Sequence, residues 1–274
     1  MIVDTAPAPS ARRFLKAGVA RFRAPAKAWT GELHCGVDLG TASVVLAVVD
    51  DADQPVLLDA VPAGVVRDGV VVDFHGAVEV VLELRAAAER YLGVAFTEAA
   101  TAYPPGVGIE ESRACRFVLE AAGLECIGLL DEVSAANALL QLDDAVVVDV
   151  GGGSTGVGVI AGGEVVAGGD LPGGGHQLDL ILAGALHIPL EEAERLKRER
   201  GGEYMHVLRP GIERVAVNVA RLSAGYESLP VHLAGGALML PGAGDVVAGY
   251  LGRDVVEYDH ALYITPFGIA RSLT

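Results

Sequence analysis

Apolar residues fall along this chain in two rhythms, and their order sorts most of it into strands and helices. Short runs rich in Val, Ile and Leu, bounded by Gly, Asp or Pro, predict strands, while apolar positions three or four apart predict helices. In residues 11–23, ARRFLKAGVARFR, Phe14, Leu15, Gly18, Val19 and Phe22 share one side of a predicted helix, with arginines on the other; Pro25 ends it. From Leu33 the pattern turns strand-like. Val37–Val49, QPVLLDAV and GVVRDGVVVDF predict successive strands, with Asp68-Gly69 as a turn. Residues 77–92 predict a helix, and EAATAYPPG predicts a strand running into a Pro-Pro stop. Residues 109–123 predict a helix closed by Gly123, ECIGLL a buried strand, and 132–141 a short helix.

The theme then restarts. AVVVDVGGGSTGVGVI (145–160) reads as a strand, a glycine turn and a second strand, followed by GGEVVAGG. Residues 176–186, 189–200 and 208–225 have helical spacing, LPVHLAGG is a strand entering a glycine turn, and 242–251 and 266–273 are the last predicted helices. Strands alternate with helices throughout, so the fold class is α/β.

The repeat at the head of each half carries the chemistry. CGVDLGTASVVLAVVD opens one half and VVVDVGGGSTGVGVI the other; in each, an apolar strand ends in Asp-x-Gly, a turn of small residues follows, and a second apolar strand leaves. Asp38 and Asp149 head the two turns. Gly40 with Thr41, and Gly151, Gly152 and Gly153 with Ser154, let backbone amides approach phosphate oxygens closely, since no Cβ intervenes. A carboxylate beside each turn suits Mg²⁺, which prefers oxygen ligands and keeps most of its waters. Gly151-x-Gly153-x-x-Gly156 matches the dinucleotide-binding fingerprint in form, but that motif needs a helix next, and here a strand continues. A Walker-type G-x-x-x-x-G-K-[ST] is absent.

Composition narrows the partners. Hydrophobic residues make up 51% and charged residues 20% of 274, which suffices for a large core and argues against disorder. The net charge of −16 argues against a nucleic-acid-binding surface. Residues 1–30 depart from the rest: six basic side chains face the single Asp4, a local +5 that leaves −21 for the remainder. This region is expected to be a basic, partly mobile N-terminal extension, Ala/Pro-rich over Met1–Ser10. Residues 11–23 read either as a docking peptide for an external partner or as a helix that docks on the chain's own acidic body. No apolar run long enough for a transmembrane span and no secretory signal is present, and Cys35, Cys115 and Cys126 read as buried free thiols, so a cytoplasmic protein is expected.

The two turns resemble the phosphate-binding loops of the actin-like ATPase superfamily, which includes sugar kinases, DnaK-type chaperones, actin and MreB. Further motifs of that superfamily appear in order. LLDEVSAANALL resembles the connecting helix, with Glu132 in the place of the residue that polarises the attacking water; Val133 follows where the family usually has Pro. PGGGHQLD resembles the Gly-Gly-x-x-x-Asp segment and singles out Gly174, Gly175 and Asp179. EEAERLKRERG resembles the helix that grips adenosine, with Glu194, Lys197 and Arg198 at i, i+3 and i+4 on one face. VHLAGGALMLPG resembles the adenosine loop, through Gly235 and Gly236.

This resemblance implies a duplicated, ribonuclease-H-like actin fold with short insertions and two lobes around a nucleotide cleft. Residues 31–143 with 266–274 would form the first lobe and 144–265 the second. It implies ATP or ADP as ligand, Glu132, Asp38 and Asp149 as the catalytic residues, and Mg²⁺ held through water by Asp38 and Asp149. DnaK-type proteins also use a lysine near the terminal phosphate. No lysine lies between Lys27 and Lys197, so hydrolysis is expected to be slow or absent unless the fold brings Arg67 to that place.

A closer resemblance, carried by GVDLGT, RDGVVVDFHGAV, YPPG, LLQLDDAVVVDVGGG, LEEAERLKR and LAGGALMLPG, is to the EutJ family of ethanolamine-utilisation chaperone-like proteins. It implies association with microcompartments and a protein client, either a cobalamin-dependent ammonia-lyase or a shell protein. The chain ends eight residues after Pro266, so the peptide-binding domain of DnaK-type chaperones is not expected. Three classes stay open: a nucleotide-driven chaperone or reactivation factor, a filament-forming MreB-like cytoskeletal protein that oligomerises, and a nucleotide-binding scaffold without turnover. A sugar kinase is disfavoured by the small first half.

Overall fold

Valines and leucines at alternate positions build two sheets of the same design. The computed structural model describes residues 9–67 and 70–274, so the expectations for the first eight residues and for the Asp68-Gly69 turn lie outside the described residues. After an opening helix α1 (Pro9–Val19), strands β1 (Leu33–Leu39), β2 (Ser43–Asp50) and β3 (Pro55–Pro62) fold back on one another antiparallel. A small ribbon follows, β4 (Val66–Arg67) with β5 (Val70–Val71). Helix α2 (Phe74–Leu92), β6 (Glu98–Tyr103), α3 (Ile109–Ala121) and β7 (Glu125–Asp131) complete the first half, and α4 (Glu132–Leu140) leaves it. The sheet order is β3-β2-β1-β6-β7, with β6 parallel to β1 and β7 parallel to β6.

The second half repeats this. Strands β8 (Ala145–Val150), β9 (Ser154–Ala161) and β10 (Glu164–Pro172) are again antiparallel. Helices α5 (Gly175–Leu186), α6 (Leu190–Arg200) and α7 (Met205–Leu222) precede β11 (Val231–Ala234), α8 (Ala243–Leu251) and β12 (Val255–Val256), and α9 (Ile264–Arg271) closes the chain. The order β10-β9-β8-β11-β12 is that of the first sheet, with β11 and β12 parallel to β8. Two five-stranded mixed sheets with helices on their faces give the duplicated α/β architecture that the sequence repeat predicts. No helix among the described residues is long and apolar enough to cross a membrane.

Some elements differ from their sequence patterns for identifiable reasons. α2 starts at Phe74, three residues early, because the Asp73 carboxylate caps it by accepting the amide of Gly76 at 2.9 Å. The run GVVRDGVVVDF gives only the two-residue strands of the ribbon; Val70 and Val72 stay exposed, with no sheet edge to join.

The core has three large parts, beside a small cluster of Ala100, Ala102, Ala135 and Ile269. One lies under α2 and α3 on the outer face of the first sheet, and one under α5, α7 and α8 on the outer face of the second. The third lies between the sheets and is built around α4 and α9. α4 comes from the first half but packs on the second sheet, where Gly158 of β9 leaves room for Val133; a Cβ there would lie 2.4 Å from the Val133 side chain. α9 comes from the second half but packs on the first sheet, where Gly36 of β1 faces the backbone of Ala270. The two helices cross at Gly268, where a Cβ would fall 1.8 Å from the carbonyl oxygen of Ala135.

α1 joins this middle layer, so of the two readings open for residues 11–23 the structure matches the helix that docks on the chain's own body. Ala11 and Leu15 are 1% and 0% exposed, and Phe14 sets its ring edge-to-face on Phe267, with centroids 5.3 Å apart. Residues 21–26 then run along β3, with the amide of Arg23 donating to the carbonyl of Leu58 and that of Ala26 to Val56. The apolar face at helical spacing is real; it is covered by the chain's own core.

Candidate functional site

Each half presents its Asp-x-Gly turn at the C-terminal end of its first strand, and the turns are built alike. Asp38 sits opposite Val45 across the first hairpin and Asp149 opposite Gly156 across the second. The amide of Gly40 donates to the carbonyl of Ser43 at 3.1 Å, and Gly151 donates to Ser154 at the same distance. The turns face each other: a Cβ on Gly152 would lie 3.3 Å from the Cβ of Ala42. Among the described residues no protein acceptor meets the amides of Thr41, Ala42, Gly152 or Gly153. Open amides on two facing glycine-type turns form a cradle for anionic oxygens.

Between the turns lies a cavity of about 1470 Å³. Its walls include every residue singled out from sequence except Gly174. That residue sits behind the second turn, where a Cβ would strike the carbonyl oxygen of Gly151 at 2.4 Å; its role is close packing. Its neighbours Gly175 and His176 donate their amides to the carbonyls of Gly151 and Gly152, so the start of α5 is fixed against the turn.

Three carboxylates converge on the cavity. Asp38 is the last residue but one of β1, Asp149 the last but one of β8, and Glu132 is the first residue of α4, whose N-cap Asp131 accepts the amides of Val133 and Ser134. Burial, and then the charge of Asp149, raise the Asp38 carboxyl to about 7. Burial also raises Asp149, opposed by the Thr265 hydroxyl, which donates to its Oδ2 at 2.5 Å. Glu132 is raised well above the usual carboxylate range by burial and by Asp149, Asp38 and Asp170. Such a cluster lacks countercharge, which a divalent cation would supply. Among the described residues no three His, Cys, Asp or Glu side chains gather tightly enough to ligate a metal directly. The donor set therefore fits a hydrated Mg²⁺ better than a dehydrated ion.

The second-half wall differs in character. Lys197, on α6, turns inward: its Nζ meets Asp179 at 2.7 Å and donates to the carbonyl of Gly175 at 2.8 Å. Arg198 stays outward and pairs with Glu194 on the same helix. Gly235 adopts a left-handed φ of 77°, and a Cβ on it would lie 2.4 Å from both Asp149 Oδ1 and the Val150 carbonyl oxygen. Gly236 packs on Leu262, which lines the cavity beside Met239. Here glycine backbone, two apolar side chains and a charged helix face share one end.

Sequence reasoning missed Thr265 and Asp170, because neither belongs to a recognisable motif. Arg67, at the end of β4, does reach the cavity wall. Cys115 lines the cavity too, and burial pushes its thiol up to about 12, which disfavours the thiolate there. All three cysteines are free; Cys35 and Cys115 are buried, whereas Cys126 is only half-buried.

Comparison with known proteins gives a consistent picture. The model of the MreB/Mbl protein family matches residues 58–207. The ethanolamine utilization protein EutJ of Salmonella typhimurium is 43% identical over 261 residues, covering 95% of this chain and 92% of that protein. The crystal structure of the ethanolamine utilization protein EutJ from Carboxydothermus hydrogenoformans is 42% identical and superimposes with a TM-score of 0.90, over 95% of this chain and 97% of that one. MreB5 of Spiroplasma citri, in its ADP-bound crystal structure, is 16% identical with a TM-score of 0.70, over 86% and 94% of the two chains; it shares the fold.

Proposed function

The chain belongs to the EutJ family of ethanolamine utilization proteins, with the actin-like fold of MreB, and on that premise we propose that it binds ATP or ADP with Mg²⁺ between its two lobes. The observation that carries the reading is the pair of matching Asp-x-Gly turns, with open amides, facing each other across one cavity. The amides of both turns hold the phosphate chain. Asp38 and Asp149 hold the water shell of the metal, whose charge neutralises the phosphates and offsets the repulsion among the carboxylates. The Gly235-Gly236 loop, with Met239, Leu262 and the Glu194–Arg198 face, takes the nucleoside. Glu132 orients a water toward the terminal phosphate, and Arg67 supplies positive charge from the first lobe.

In ethanolamine utilisation the chain acts as a nucleotide-dependent switch, a chaperone-like or reactivation factor for a protein client. The client is an ammonia-lyase of the cobalamin-dependent class or a microcompartment shell protein. A second reading, a nucleotide-binding scaffold without turnover, draws support from Glu132, because burial and the neighbouring carboxylates Asp149, Asp38 and Asp170 disfavour in the free chain the ionised form that would orient a water. Titration calorimetry with Mg-ATP and Mg-ADP, together with phosphate release, tests both. Asp149→Ala weakens binding of the Mg-nucleotide, and Gly235→Val blocks the cavity and displaces Asp149. A folded wild-type chain that binds neither nucleotide would retire the proposal, whereas binding without phosphate release selects the scaffold.

A further inference from the structure

α1 touches both lobes at opposite ends, and its contacts are of different kinds at each. Toward the first lobe the anchor is extensive. Past the end of α1, Phe22 bridges to Leu58, Arg23 Nε meets Asp59 at 2.7 Å, and Arg23 Nη2 donates to the carbonyl of Ala60. In the middle, Leu15 is buried between the sheets, and Gly18 lets Phe267 of α9 press against the helix backbone, since a Cβ there would lie 2.4 Å from that ring. Toward the second lobe the polar anchor among the described residues is Arg12, set beside the buried Ala11 and Leu15, which share a core cluster with Tyr258 and Ala261. Its Nη2 donates to the carbonyl of Glu257 at 2.6 Å, and its guanidinium lies over the Tyr258 ring, 5.6 Å from the centroid.

The receiving segment is itself fixed. The Glu257 carboxylate accepts the amide of Gly244 at the start of α8. The Tyr258 hydroxyl is hydrogen-bonded to Nδ1 of His232 at 2.7 Å, and both side chains are buried. His232 lies on β11, the strand that runs into the Gly235-Gly236 loop.

We propose that α1 is a strap that holds the two lobes at a set angle, with Arg12 as its releasable end. A rotation of one lobe against the other changes the distance between β3 and the segment after β12. Arg12 is the exposed contact that must lengthen or break, while Leu15 and Phe14 stay seated. The angle of the cleft and the seating of the first turn of α1 are therefore coupled. The proposal concerns the free chain and does not require nucleotide.

The test measures lobe separation directly. Spin labels go on Glu83→Cys of α2 and Arg214→Cys of α7, exposed positions on the two outer layers, in a Cys126→Ser background. Arg12→Ala removes the second-lobe anchor and leaves the buried side chains of α1 in place. The expected result is an inter-label distance distribution at least about two-fold broader than in the labelled parent, with circular dichroism and the melting temperature nearly unchanged. Arg12→Lys, which keeps the charge but loses the planar stack on Tyr258, gives an intermediate width. Superimposable distributions for parent and Arg12→Ala would overturn the strap. A failure to bind nucleotide bears on the ATP reading alone, because the width is read without any ligand.

Discussion

The acidic centre makes the stability of the free chain depend on pH in a direction opposite to that of most salt-bridged carboxylates. The perturbation is Asp38→Asn, compared with wild type from about pH 4 to about pH 8 without metal. In the unfolded chain Asp38 ionises near its ordinary value of 3.8, whereas in the folded chain it holds its proton until about 7. Between those values the native state binds more protons than the unfolded state, so stability falls as the pH rises; it is fully present below the lower value and lost through the upper one. A displacement of that size corresponds to at most ~4 kcal/mol. Because the carboxyl opens onto the solvent-filled cavity, about half of that, ~2 kcal/mol, is the expected effect. Asn cannot ionise, so the variant gains on wild type by this amount between the two ends of the range. Urea unfolding followed by far-ultraviolet circular dichroism, with Trp29 fluorescence as a second probe, measures it in the presence of a chelator. Saturating Mg²⁺ should stabilise wild type at about pH 8 far more than at about pH 5, and the variant less at both. Parallel pH profiles for the two proteins would refute the argument that the carboxylates lack countercharge.

Other consequences follow from packing and from the site. Leu15→Ala should destabilise the whole chain by about 2–5 kcal/mol in chemical denaturation, since the side chain is fully buried between the sheets; a surface-like cost below ~0.5 kcal/mol would show that α1 is not part of the core. Gly268→Ala should lower stability by at least ~3 kcal/mol, because the added methyl meets the Ala135 carbonyl inside a helix crossing, and an unchanged melting temperature would contradict it. Glu132→Gln should stop phosphate release while leaving ATP affinity within about three-fold, and brisk turnover in that variant would remove Glu132 from its role. Arg67→Ala should weaken Mg-ATP more than Mg-ADP in calorimetry, and equal losses would place Arg67 away from the terminal phosphate.

The two hairpins were legible because a turn that exposes amides needs small residues at fixed offsets, and the same offsets recur in the second half. Residues as far apart as Thr41 and Arg198 were placed in one site by their resemblance to actin-like motifs, and both line the cavity. What sequence could not show was how the charges pair. Lys197 and Arg198 are neighbours on one helix, yet one turns in to Asp179 and the other out to Glu194. Thr265 was invisible for a similar reason: its hydroxyl matters only because α9 returns to the first sheet beside Asp149. For α1 two readings stayed open, because an apolar stripe states that a face will be covered and is silent on what covers it. What covers it, Phe267 of α9 and the strand β3, lies far along the chain, and only the tertiary fold brings them together.

The exchange of α4 and α9 carries a consequence for the folding unit. Neither half owns the helix that shields the inner face of its sheet, so each borrows it from the other. A gene cut near residue 143 would then yield two pieces that are each half-finished, prone to clump when expressed alone and able to complement when made together. The same reciprocity is what a swapped homodimer looks like once its two copies are joined end to end.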